Sequence, residues 1–186
     1  MPEPEETAPH IYRLKMPPFG PPSWEVSNVY FAGNKEVFMV DAGYPTPQSI
    51  DCILNAWEKL GSPKIKAVLV THAHLDHMGG LSAVEEKTKA PVWTHRLEAE
   101  FFGEMFPQER VDKTLEEGET LQADGVKLHV LHLPGHTEGH LAFLEENTRS
   151  LFTGDLVLGE GYAIIVPPRG DMVKYMASLR RMAKLD

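Results

Sequence analysis

The first part of the chain alternates between short apolar runs and one amphipathic stretch. Two apolar runs, 25–32 and 36–41, are separated by Gly33-Asn34, a pair that favours a tight β-hairpin turn. Residues 48–60 carry apolar side chains at helical spacing and end at Gly61, which predicts an amphipathic helix. Residues 65–71 are mostly apolar, which predicts a buried strand.

The remainder of the chain is predicted to be richer in strands. We predict short helices at 82–87 and 97–102 and a C-terminal helix at 172–184, where apolar residues recur at helical spacing. Strands are predicted at 91–94, 126–133, 141–144 and 150–153, with 163–166 as a candidate for one more. Interleaved strands and helices indicate a layered α/β arrangement, and 186 residues are enough for one domain, 1–186, with its own core.

The N-terminal residues and the single cysteine indicate the class of protein. Residues 1–22 are rich in proline and are predicted to lie along the surface as an extended segment. They begin with an acidic stretch without an apolar run, so no secretory signal is predicted and a cytoplasmic location is expected. No apolar run is long enough to span a bilayer, and no membrane partner is expected. Cys52 is the only cysteine, so no intrachain disulfide is possible, and its apolar helical surroundings predict a buried packing thiol.

The net charge of −9 argues mildly against non-specific binding to nucleic acid or to anionic membranes. It leaves open a local basic channel, because the charge of the whole chain says nothing about where the charges lie. Apolar residues make up 42% and charged residues 24% of the chain, as is ordinary for a globular protein.

Three histidines and one carboxylate follow the predicted strand at 65–71. They are His72, His74, Asp76 and His77, within six positions. Imidazole nitrogens and carboxylate oxygens are ligands that zinc prefers. In extended backbone His72 and His74 project to the same side, whereas the adjacent Asp76 and His77 diverge and could serve a second ion.

Two later positions can complete such a site. His136 follows Pro134-Gly135 at the end of a predicted strand, where it could supply a third nitrogen. Asp155 follows Gly154 just past another strand, where it could bridge two cations, although such a residue is also typical of a turn or a helix cap. His140 could bind the metal, support a ligand from behind, or have a purely structural role.

These residues, in this order and at these separations, resemble the metallo-beta-lactamase superfamily. The resemblance covers essentially the whole chain and includes the Asp41-Ala42-Gly43 turn after the early strand and the Pro-Gly-His-Thr turn at 134–137. It implies an α+β fold, the four-layer αββα sandwich of that family. Within the superfamily, residues 151–161 are most similar to the beta-lactamase-like protein 2 branch, which is associated with single-stranded RNA endonuclease activity.

The resemblance also implies a role for each residue. His72, His74 and His136 would bind a first metal ion, Asp76 and His77 a second, and Asp155 would bridge both. Asp76 and Asp155 would be catalytic, with Asp76 also able to orient the nucleophile. Asp41 would orient a ligand histidine through its second ring nitrogen, or have a purely local role at the strand end. The expected cofactor is zinc, one or two ions, with iron or manganese possible.

The chain departs from the family pattern at its C-terminal end. The family supplies a last histidine to the second metal, on a strand after the helix that 172–184 resembles, but no histidine follows His140. We therefore expect a fragment that lacks the C-terminal part of the family domain, or a second site that is incomplete or completed by another chain. An unpaired sheet edge would favour association into a homo-oligomer.

Three functions follow from this reading. The first is a hydrolase that uses zinc-bound hydroxide to cleave an ester, thioester, amide or phosphodiester bond, with a small-molecule acyl compound or single-stranded RNA as substrate. RNA cleavage agrees with the branch resemblance but poorly with the charge. The second is a mononuclear-iron oxidoreductase similar to the sulfur dioxygenases, which share much of the His/Asp set. The third is a binding protein without catalytic activity.

Overall fold

A computed structural model of the chain describes residues 1–18, 27–159 and 161–185. Seven strands form a first sheet, in which neighbours along the chain are neighbours in space. They are β1 (Glu5–Ala8), β2 (Ile11–Lys15), β3 (Asn28–Gly33), β4 (Glu36–Val40), β5 (Lys64–Leu69), β6 (Val92–His95) and β7 (Lys113–Leu115). Strands β1 to β4 pair antiparallel, whereas β4 to β7 pair parallel.

The second sheet is antiparallel and has four strands in the order β11-β10-β9-β8. They are β8 (Thr120–Ala123), β9 (Val126–His132), β10 (Leu141–Glu145) and β11 (Leu151–Phe152). The helices are α1 (Pro47–Lys59), α2 (Leu75–Met78), α3 (Leu81–Thr88), α4 (Arg96–Met105) and α5 (Met172–Met182). In the described part of the chain, no helix is long and apolar enough to cross a membrane.

Three apolar clusters define four layers. One lies between the first sheet and the helices α1, α3 and α4, and includes Ile53, Val84 and Phe102. A second lies between the two sheets, around Phe38 and Phe143. A third covers the outer face of the second sheet, where partly buried side chains of α5 pack against residues of β9 and β10. The predicted αββα sandwich is therefore confirmed.

The local signals explain most of the elements. Gly33 links β3 to β4 with a φ of +133°, and a Cβ there would lie 2.3 Å from the carbonyl oxygen of Glu36, so glycine is required. Helix α1 begins after Thr46, whose side chain accepts the N–H of Ser49, and it ends one residue before the predicted end. The predicted strand at 65–71 corresponds to β5 and leads directly into the histidine cluster.

Some predictions were wrong. The N-terminal segment 1–22 does not simply lie along the surface: it contains β1 and β2, because Ile11 and Leu14 are buried against the sheet. Residues 19–26 lie outside the described ranges, and with them the start of the run at 25–32. Residues 163–166 form no strand within the described range 161–185; Ile164 and Val166 are largely exposed. The short elements α2, β7 and β8 had not been predicted.

Phe143 provides a test of the packing between the sheets. Its side chain is fully buried among residues of both sheets, so Phe143→Ala should lower the free energy of unfolding by about 3–5 kcal/mol through lost burial and an unfilled cavity. Tyr162 is 84% exposed, and Tyr162→Ala should change stability by no more than about 0.5 kcal/mol. Urea denaturation of both variants measures the difference, and equal effects would contradict the layered core.

Candidate metal centre

The side chains predicted to act together come from strand ends of both sheets. Asp41 follows β4, the segment His72–His77 follows β5, and His136 follows β9. Asp155 lies in a single 3₁₀ turn, Gly154–Leu156, just after β11. Parallel strands β4 and β5 bring their carboxyl ends to one edge of the first sheet. The second sheet delivers the other two residues to the same edge.

Four side chains form a first cluster. The Nε2 atom of His72 lies 3.0 Å from His74 Nδ1, and His136 Nε2 lies 3.2 Å from the former and 2.9 Å from the latter. Asp155 Oδ2 lies 3.5 Å from His136 Nε2 and 3.9 Å from His72 Nε2. These four atoms lie within 4.8 Å of one another, a spacing that a single metal ion could span.

A second cluster shares the same aspartate. His77 Nε2 lies 3.0 Å from Asp155 Oδ1 and 3.3 Å from Asp76 Oδ2. The two oxygens of Asp155 therefore face different clusters, Oδ2 the first and Oδ1 the second. All six predicted ligand side chains are thus brought together, in the two groups that the sequence suggested.

Asp41 forms a hydrogen bond to His77 on the side of the ring that faces away from the second cluster. Its Oδ2 atom accepts a hydrogen bond from His77 Nδ1 at 2.8 Å and one from the hydroxyl of Thr71 at 2.9 Å. Its Oδ1 atom accepts the backbone N–H of Thr71 at 2.8 Å. Asp41 adopts a φ of +60°, which aspartate tolerates better than most residues. Its contact with His77 is the one expected of a residue that orients a ligand histidine.

These contacts fix which ring nitrogens carry protons. The Thr71 hydroxyl donates to Asp41, so the Nδ1–H of His72 donates to Thr71 Oγ1, 3.0 Å away. The Nδ1–H of His136 donates to the carbonyl of Ile164 at 2.9 Å. The Nε2 atoms of His72 and His136 therefore face each other with lone pairs rather than with a proton between them.

His140 is buried but belongs to neither cluster of described residues. Its Nε2 atom accepts the backbone N–H of Asp155 at 3.2 Å, and its ring stacks on that of His72 with centroids 5.0 Å apart. Gly154 has a φ of +49°, and a Cβ there would lie 2.6 Å from His140 Nε2. His140 thus packs behind the site and holds the turn that carries Asp155, which is the structural alternative considered for it.

Burial keeps most of the histidines neutral. It lowers the pKa of His74 to about 4 and lowers the pKa of His72, His136 and His140. For His77 burial acts in the same direction, but the carboxylates of Asp155, Asp41 and Asp76 raise its pKa well above the usual value. Burial opposes ionisation of Asp155, yet the histidines, His77 foremost, hold its pKa below the usual value.

Thr71 and Ile164 are among the residues around the site that were not singled out from the sequence. Thr71 contacts both Asp41 and His72, and Ile164 contributes only its backbone carbonyl to His136. Thr71 could have been suspected as the polar last residue of an apolar run. A backbone carbonyl in a distant segment leaves no signal in the sequence.

The chain is similar in sequence to proteins from several different organisms. It is 33% identical over 129 residues to hydroxyacylglutathione hydrolase GloC of Haemophilus influenzae, covering 62% of this chain and 61% of that protein. It is 28% identical to an atrochrysone carboxyl ACP thioesterase of Aspergillus chevalieri, over 89% of this chain and 51% of the relative. It is 27% identical to a beta-lactamase-like protein 2 homolog of Caenorhabditis elegans, over 90% and 55%. The chain spans between half and about three fifths of the length of these relatives.

Comparison with solved structures and family models agrees with the fold. The crystal structure of TTHA1623 in a di-iron-bound form superposes with a TM-score of 0.74 at 28% identity, covering 92% of this chain and 86% of that one. A family model described as the metallo-beta-lactamase superfamily matches residues 22–186. The predicted resemblance is thereby confirmed, and the chain belongs to the metallo-beta-lactamase superfamily.

Proposed function

We propose that this chain is the metal-binding catalytic part of a hydrolase that cleaves acyl thioesters. The observation that carries the proposal is the convergence of His72, His74 and His136 on one point, with Asp155 between them and His77. Buried imidazoles that point lone pairs at one another are electrostatically unfavourable unless a cation lies between them.

The donor set fits zinc. The three nitrogens of the first cluster are 2.9–3.2 Å apart, close to the spacing of about 3.3 Å expected of tetrahedral ligands with zinc–nitrogen bonds of about 2.0–2.1 Å. His77 Nε2 is buried and makes no hydrogen bond of acceptable geometry to any described residue, as expected for an atom that would contact an ion. Three histidines with a carboxylate would hold one ion, and Asp76, His77 and Asp155 would hold a second.

The chain's own residues would divide the work as follows. A bound metal ion supplies a Lewis acid and an activated water near neutral pH. Asp76 would accept a hydrogen bond from that nucleophile and aim it at the acyl carbon, since its pKa is kept below the usual value by His77 even though burial opposes this. Asp155 would fix the separation of the two positions with its two oxygens. Asp41 would hold His77 in the required tautomer.

Thioesters are favoured over phosphodiesters by two observations. Two of the relatives carry the names of a hydroxyacylglutathione hydrolase and an acyl carrier protein thioesterase. The net charge of −9 disfavours a long polyanion such as RNA. Single-stranded RNA cleavage is the second candidate, favoured by the similarity to the beta-lactamase-like protein 2 homolog, and iron chemistry remains an outcome to test because one structural relative holds two iron ions.

Metal content is the first measurement. Protein purified without added metal or chelator should contain about one to two zinc ions per chain by mass spectrometry, because two groups of ligands are preformed. About one ion would show that only the three-histidine cluster is occupied. Iron together with oxygen consumption would favour the oxidoreductase, and the absence of any metal after zinc is supplied would contradict the proposal.

Substitution of a ligand of the first cluster should abolish turnover. His72→Ala and Asp155→Ala should each reduce thioester hydrolysis by at least about 1,000-fold, equivalent to about 4 kcal/mol, because the metal would lose a ligand. His129→Ala is a matched control, because His129 pairs with Glu146 and belongs to neither cluster of described ligand residues. Near-normal hydrolysis by His72→Ala would sink the assignment. If the wild-type chain cleaves labelled single-stranded RNA and the same variants do not, RNA rather than a thioester is the substrate.

Asp41 should affect the second ion selectively. Asp41→Asn keeps the shape of the side chain but replaces one acceptor oxygen by a donor beside His77 Nδ1, and we expect about 10–100-fold weaker binding of the second zinc. Competition with a chelator measures both affinities. Asp51→Asn, an exposed change on α1, should leave both unchanged. Equal weakening of the two ions by Asp41→Asn would show that Asp41 supports the fold rather than His77.

A further inference from the structure

One buried carboxylate outside the metal-ligand set joins the two ligand-bearing loops. Glu98, in the first turn of α4, is completely buried. Its Oε2 atom accepts the backbone N–H of Ala73 at 2.8 Å, and its Oε1 atom accepts the backbone N–H of Gly139 at 2.8 Å. Ala73 stands between His72 and His74, whereas Gly139 lies in the turn that carries His136.

A third segment is tied to the same carboxylate. The guanidinium of Arg169 donates to Glu98 Oε2 at 2.5 Å and lies over the ring of Phe101, 3.8 Å from its centroid. Arg169 follows the stretch in which the Ile164 carbonyl accepts the Nδ1–H of His136. Glu98 is therefore tied both to the turn that carries His136 and to the segment whose Ile164 carbonyl accepts the ring N–H of His136.

The turn is shaped to admit this carboxylate. A Cβ at Gly139 would lie 2.8 Å from both Cγ and Oε1 of Glu98, and 2.9 Å from His95 Nδ1. Only glycine permits so close an approach at this position. The close contact with the buried Glu98 side chain thus explains why position 139 is glycine.

The contact matters because the ligands belong to different sheets. His72 and His74 follow β5 of the first sheet, whereas His136 follows β9 of the second. A relative shift of the sheets by a fraction of an ångström would move a ligand nitrogen out of bonding distance. A buried carboxylate is stable only with its hydrogen bonds and ion pair made, so it holds its partners at fixed distances.

We propose that Glu98 is a positioning residue that fixes the separation between the loop at 72–77 and the turn at 134–140, and so preorganises the first metal position. This inference rests on the proposed function for its effect on metal, but the clamp itself belongs to the metal-free chain. Nothing in the sequence marks Glu98, which looks like an ordinary acid at the start of a helix.

The test is Glu98→Gln, which keeps the volume but replaces one acceptor oxygen by a donor that faces an N–H group. In the metal-free protein, hydrogen exchange of amides in 72–77 and 134–140 should rise by about tenfold, because both loops lose an anchor. Zinc affinity, measured by chelator competition, should fall by about 10–100-fold. Glu100→Gln is the matched control on the same helix, where Glu100 makes an exposed pair with Arg96, and both readouts should stay at the wild-type level.

The outcomes separate the clamp from the proposed function. Lower thermal stability with unchanged loop exchange and unchanged zinc affinity would make Glu98 a purely structural residue and overturn the inference. If the wild-type chain binds no metal, the proposed function fails, while the exchange measurement still decides whether the clamp exists. If Glu98→Gln does not fold, Gly139→Ala replaces it, because the added methyl group would push against Oε1 while keeping the charge. Wild-type exchange and wild-type zinc affinity in Gly139→Ala would also overturn the inference.

Discussion

The site depends on one unfavourable arrangement: unprotonated histidine nitrogens and ionised carboxylates are buried close together, with few protons between them. Around the shared Asp155, the rings of His72 and His136 present unprotonated nitrogens to each other 3.2 Å apart. In the metal-free chain, burial lowers the pKa of His77, but three carboxylates raise it well above its usual value and so favour a protonated ring. A divalent cation would supply two positive charges at the point where the ligands converge, and would remove the need for that proton.

Such an arrangement persists only if the backbone prevents the side chains from moving apart. The loops that carry these side chains are joined to one another by backbone hydrogen bonds. The N–H of Ala42 donates to the His77 carbonyl at 2.6 Å, and the N–H of Gly80 returns to the Ala42 carbonyl at 3.0 Å. Across the sheets, the N–H of Leu141 donates to the Thr71 carbonyl at 2.9 Å. Together with Glu98, these hydrogen bonds hold the loops in place although the side chains repel one another. The stability of the sandwich offsets that repulsion, as is usual for preorganised sites.

Features that depend on residues close together in the sequence could be predicted, whereas features that depend on distant residues could not. The histidine cluster and α1 were visible because ligand spacing and helical periodicity are local. Strands β1 and β2 were missed because proline-rich sequence favours exposure, whereas pairing with β3 buries Ile11 and Leu14. Asp155 was ambiguous as a turn residue until the fold set its two oxygens against two clusters. Glu98 was invisible, since its partners lie 25, 41 and 71 positions away and two of them are backbone amides.

The charge of the site links the number of bound ions to the class of substrate. Asp76 and Asp155 are the two carboxylates that would touch the ions, and both have lowered pKa values despite their burial. With Asp41, Asp76 and Asp155 ionised and His77 protonated, one divalent cation would leave the site neutral. A neutral acyl carbonyl could then enter without an electrostatic penalty, whereas a phosphodiester would gain little. Two cations, with His77 neutral as a ligand, would leave a single positive charge beside Asp41, Asp76 and Asp155, which would attract an anion against the overall charge of −9. Under the proposed function, a chain that holds only its first ion would be better suited to thioesters than to RNA. The occupancy of the position at Asp76 and His77 would then affect both the chemistry and the choice of substrate.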